Sequence, residues 1–160
     1  MTRRFAALID KIPALCQPAG DLAEQGVILR AILAVMAAVL VNLAVVAAAE
    51  AGLSLLFPPP HGINLSDPAQ RDAFMAALPA LAYLGLLAGW AVGAFAASTS
   101  AYFIAGRQVW AAFAGAGVNL FGVLITVATL PHPLWVAAVG LFVPLIAAVT
   151  VPRFGGAAAV

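Results

Sequence analysis

Charge is what this sequence has least of: seven Lys and Arg and six Asp and Glu among 160 residues, 8% in all, against about 25% in an ordinary soluble domain. No charged residue occurs between Asp72 and Arg107, or again between Arg107 and Arg153. A water-soluble fold of this size has too little interior to hide a chain that is 65% hydrophobic, so lipid must solvate most of it. Cysteine is nearly absent as well. The single Cys16 excludes an internal disulfide, has no metal-type spacing around it, and reads as a bystander thiol. No phosphate loop, cysteine-rich cluster, Ser-His-Asp set or basic surface is present. The expectation is a chain that is not an enzyme and has no cofactor, no metal and no nucleic-acid partner. Short segments alternating between apolar and polar residues are also missing, which excludes a membrane barrel.

What is there is a set of long apolar runs. At roughly 20 residues per crossing, they predict an all-α polytopic membrane protein, a bundle of four transmembrane helices at about 29–56, 79–105, 109–130 and 134–151. The "PHP" at 131–133 divides the second uncharged stretch into two crossings, because two prolines and a histidine suit a turn. Arg3, Arg4, Lys11, Arg30, Arg107 and Arg153 fall on one face of this topology and only Arg71 on the other. Basic residues accumulate on the cytoplasmic side. Both termini are therefore expected in the cytoplasm, with the 58–78 loop and the "PHP" turn on the opposite side.

The first 27 residues form a separate cytoplasmic segment in this reading, ahead of a single transmembrane domain at 28–160. Asp10 and Lys11 interrupt any signal-peptide core, and helical spacing puts Phe5, Leu8, Ile12 and Leu15 opposite Arg3, Arg4 and Lys11. That pattern predicts a short amphipathic helix on the inner surface. "DLAE" at 21–24 has the form of a capping box, from which helix 1 would run unbroken into the bilayer. "FPPPHG" at 57–62 ends that helix. Ser66 or Asp67 is placed to cap a short surface helix with Pro68 in its first turn, and Pro79 marks the restart. Pro144 is expected to bend the last helix and Pro152 to close it.

Several residues are candidates for packing or function. Gly85, Gly89 and Gly93 recur every four residues, and Ala97, Ala101 and Ala105 extend the register. Such spacing lets helix backbones approach closely. A four-residue repeat drifts about 40° per step against a 3.6-residue helix. The glycine and alanine halves are therefore expected to face different partners, one of them in another subunit. Asn42 and Asn119 each lie about 18 Å into their helices, near the midplane, where they would pair across helices. Glu50 is the costliest residue of the spans. Counted from Arg30 it is close to the outer boundary, and counted back from Pro58 it is about 12 Å inside. With His61 and His132 it forms a candidate functional polar cluster, without metal-type spacing. Trp110 and Trp135 sit at opposite interfaces as anchors, and Trp90 reads as packing against a neighbouring helix.

The "WAVGAF" stretch at 90–95 and the "PHPLW" stretch at 131–135 carry a resemblance. The chain resembles a family of small uncharacterised four-helix bacterial inner-membrane proteins marked by W-A-x-G-A-F and P-H-P-x-W, over about residues 29–152. The resemblance implies the topology and an inner-membrane location, and no activity. The function expected is a non-enzymatic structural or accessory subunit. It would sit in the lipid bilayer and pack through small-residue seams against itself or other membrane subunits. The alternative is a small oligomeric transporter or channel, with Asn42, Asn119, residues 98–100 and Glu50 lining its path.

Overall fold

The proline clusters at 58–60 and 131–133 and the charged break at Arg107 fall between helices of the computed structural model, which describes residues 19–156. These form five helices in chain order: α1 (Ala19–Leu56), α2 (Pro68–Ala77), α3 (Ala80–Ile104), α4 (Val109–Thr129) and α5 (Leu134–Gly155). All but α2 are long and apolar enough to cross a membrane. The expected amphipathic helix around Phe5 to Leu15, and Cys16 with it, lie outside the described residues.

The ends of the helices follow local chemistry. α1 is already helical at Ala19, so Asp21 lies inside the helix and the capping box is not its start. Position 27, drawn as a segment boundary from the sequence, also falls within this continuous helix. After the Phe57 N–H bonds to Leu53 O at 2.8 Å, three prolines supply no further backbone donors. α2 begins with Asp67 as its N-cap, the Oδ1 atom accepting from the Ala69 N–H at 3.0 Å, and Pro68 fills the first helical position.

α3 ends in a Schellman turn. The Arg107 N–H bonds back to Tyr102 O at 2.8 Å and the Gly106 N–H to Phe103 O at 3.1 Å. Gly106 has φ 73° and Arg107 has φ 66°, both in the left-handed region, where a side chain costs about 1–2 kcal/mol. Gly106→Val is therefore expected to destabilise the protein by about that amount, read as a lowered midpoint of thermal unfolding in detergent.

Pro152 does not close α5, contrary to its reading from the sequence. It sits inside the last turn, where losing one N–H costs a single bond, and the helix stops instead at Gly156 with φ 65°. The Tyr102 hydroxyl donates to Gly156 O at 2.9 Å and ties that end to α3.

α3 is the hub of the bundle. It packs against α1, α4 and α5, and α4 packs against α1 and α5, whereas α1 and α5 do not touch. Of the most apolar window of α3, 44% is buried, against 17% for α1. The small residues of α3 explain the difference, since they let neighbours approach from three sides. The loop before α2, α2 itself and the 131–133 turn lie at one end of the bundle, the α2 end, and the Gly106 turn lies at the other.

Candidate functional site

The small residues of α3 are used within the chain. A Cβ built on Gly89 would lie 2.6 Å from Ala49 Cβ, and one on Gly85 would lie 2.6 Å from Leu53 Cδ2. At Gly93 the neighbours are Val46 Cγ2 at 3.0 Å and the side chains of Asn119 and Asn42 at 3.1 Å each. The glycine half thus accommodates α1. Ala97, Ala101 and Ala105 fall in one buried cluster with Ala34 and Ala38 of α1 and Ala111 of α4. Within the chain, then, the two halves are not divided between different helices. α1 covers both, because a neighbouring helix can wind with the drift of the repeat, and α4 shares the alanine half.

A polar pair closes the seam. Asn119 Nδ2 donates to Asn42 Oδ1 at 2.7 Å and approaches Trp90 O at 3.3 Å. Both side chains are buried, at 1% and 6% exposure. One amide therefore joins α4 to α1 and to the backbone of α3. Two buried polar atoms nearby, Asn119 Oδ1 and Ser98 Oγ, have no partner among the described residues.

Gly115 was not singled out from the sequence, yet it makes the tightest backbone approach. A Cβ there would meet Ala97 O at 2.5 Å and Ser98 Cα at 2.7 Å. The available signal was its place one turn before Asn119, which puts both on one face of α4. Gly140 of α5 has a similar role beneath Trp90, whose Cζ3 would lie 2.5 Å from an added Cβ. Trp90 itself is buried with Val123 and Val136, packed against neighbouring helices.

Glu50, His61 and His132 are not brought together. Glu50 lies on the exposed face of α1, where Ser54 Oγ bonds to its main-chain oxygen, and His61 is exposed in the loop. Among the described residues the ion pair is Arg71 with Asp72, and no three His, Cys, Asp or Glu side chains converge on a metal-sized space. His132 instead packs among rings: its centroid is 5.9 Å from that of Trp90 and 6.2 Å from that of Tyr83. Its Nδ1 donates to Leu130 O at 2.9 Å, and its buried Nε2 has no hydrogen-bond partner among the described residues. The sequence separation of Glu50 from His132 held no information on this, because α1 and α5 lie on different sides of α3. Trp110 and Trp135 open α4 and α5 at opposite ends of the bundle, both partly exposed.

Comparison with protein-family models, with curated proteins and with solved structures finds no match to this chain.

Proposed function

We propose that the chain is a non-enzymatic integral membrane subunit that packs against a second copy of itself or against another subunit of a membrane complex. The observation that carries this reading is the open side of α3. On one face of α3, Ala91, Val92, Phe95, Ala96, Thr99, Ser100 and Phe103 form a shallow, open depression. It continues past Phe95 and Phe103 to Thr150 and Phe154 of α5. Small residues on its floor and phenylalanines on its rim suit an entering helix. The buried polar side chains of the described residues, tyrosines aside, are Asn42, Ser98 and Asn119. None of these three ionises.

The test is cross-linking in native membranes, with Cys16→Ser as the background. Ala96→Cys is expected to give a covalent dimer or a larger adduct, and Phe121→Cys, on the exposed face of α4, is expected to give none. If neither reacts and the solubilised protein is a monodisperse monomer, the reading is wrong.

The same reading places the protein in a bacterial inner membrane with both termini in the cytoplasm. Arg30, Arg107 and Arg153 at the end opposite α2 support it, as does the resemblance carried by the "WAVGAF" and "PHPLW" stretches. A fluorescent protein fused to the C-terminus is expected to mature, and alkaline phosphatase at the same place is expected to stay inactive; the reverse pattern rejects this orientation. A small oligomeric transporter or channel is the second reading, favoured by the unpartnered Ser98 Oγ and Asn119 Oδ1 in the interior. Solute flux into proteoliposomes that Asn119→Leu removes would decide for it.

A further inference from the structure

A cavity lies at the α2 end, outside the seam and outside the α3 depression. It has a volume of about 390 Å³ and is walled by Asp72, Leu78, Tyr83, His132 and Trp135, among others. That size falls in the range of about 300–1,000 Å³ typical of small-molecule sites. We propose that it binds the ammonium end of a zwitterionic phosphoethanolamine-type group, supplied either by a phospholipid headgroup or by a free zwitterion.

The argument begins with charge. Asp72 is the one charged side chain on the wall. Its Oδ1 takes both bonds from Arg71, from Nε at 3.2 Å and Nη2 at 3.1 Å, and Oδ2 accepts no hydrogen bond among the described residues. One carboxylate oxygen is thus free to receive an N–H. The rest of the wall is aromatic. Tyr83 meets His132 edge-on at 6.2 Å and 68°, and Trp135 at 6.3 Å and 78°. Aromatic rings and a free carboxylate oxygen on one wall are the two kinds of group that attract an ammonium.

The donors are mostly spent or absent, which argues against a bare anion. The Tyr83 hydroxyl donates to Met75 O at 2.6 Å and the His132 Nδ1–H to Leu130 O at 2.9 Å. Pro131 and Pro133, also on the wall, have no backbone N–H at all. What remains for an anionic group tethered to the ammonium is the Trp135 indole N–H and the first turn of α3 and of α5. Both helices begin at this end without a side-chain cap; the Ala82 N–H bonds to Pro79 O and the Val136 N–H to Pro133 O, which leaves the N–H groups of Ala80, Leu81, Leu134 and Trp135 without a partner among the described residues to complement it. A ligand with both charges a few bonds apart fits this distribution better than either ion alone. Trp135 at the rim is partly exposed, which suits a site at the level of lipid headgroups.

The experiment uses the whole protein in nanodiscs of phosphatidylglycerol alone, with tryptophan fluorescence followed as free phosphoethanolamine is added. The expected result is a saturable change whose midpoint shifts at least tenfold to higher concentration in Asp72→Asn. Asp72 is half exposed, and its variant is expected to keep the wild-type thermal midpoint. In nanodiscs that also contain phosphatidylethanolamine, loss of the response identifies the lipid as the source, and an unchanged response identifies the free zwitterion; either supports the site. An absent response in phosphatidylglycerol, an equal response to inorganic phosphate, or an unshifted Asp72→Asn midpoint overturns it.

Discussion

Gly115→Leu is expected to abolish the folded bundle. The Cβ of any larger residue would meet Ala97 O at 2.5 Å, the Ala97 carbonyl carbon at 2.7 Å and Ser98 Cα at 2.7 Å. All three are backbone atoms of α3, so no rotamer change makes room. α4 must move away from α3 as a body, and with it the Asn119 amide leaves Asn42 and Trp90 O. Overpacking a core with flexible neighbours costs about 1–3 kcal/mol. Gly115→Ala should sit at or above the top of that range because its neighbours are backbone, and Gly115→Leu beyond it. Thermal unfolding in detergent provides the measurement. The internal comparison is Gly117 and Gly122, where an added Cβ meets nothing within 4 Å. Gly117→Ala and Gly122→Ala are expected to be neutral or stabilising, because alanine is the better helix former by about 1 kcal/mol. A gain for Gly115→Ala equal to that for Gly117→Ala would show that helix propensity, and not the close approach, governs these sites.

The contrast among these glycines shows what the sequence conveyed and what it did not. The four long helices were legible, since their ends are written in residues that cannot continue in lipid: three prolines after Phe57, a proline on each side of His132, and a charged turn at Arg107. The surface helix was legible from Asp67 and Pro68 for the same local reason. Which face of a helix meets which neighbour is a different kind of information. Gly115 and Gly117 are two residues apart in one apolar run; the sequence separates them only in that Gly115 shares a face with Asn119, and the placement of α3 decides which of them is crowded. The six-residue register of α3 was visible, but its assignment to two partners assumed a straight neighbour. α1 follows it along its length, covering both halves. His132 was noticed for its imidazole. Its surroundings depended on Tyr83 and Trp90, on another helix, which no spacing rule connects to it.

The asparagine pair allows a sharper expectation, because its hydrogen bonds are unequal. Asn119 donates both to Asn42 and toward Trp90 O, whereas the bond from Asn119 is the one side-chain partner Asn42 has among the described residues. Asn42→Val leaves Asn119 with Trp90 O, and the loss is expected to be the smaller of the two. Asn119→Val leaves the Asn42 amide buried at 6% exposure with nothing to bind. An orphaned buried polar group costs about 1–3 kcal/mol. The double variant removes both amides and is expected to recover part of that loss, since a valine pair has nothing left to satisfy. The coupling energy of the cycle should fall at about 0.6–2 kcal/mol, the size found for interhelical hydrogen bonds in membranes. Four unfolding midpoints in one detergent determine it. Strictly additive losses would mean that the amides act through volume alone. A double variant that loses more than the sum of the two singles would mean that a water or solute normally bridges to Asn119 Oδ1, and would shift the balance toward the transport reading.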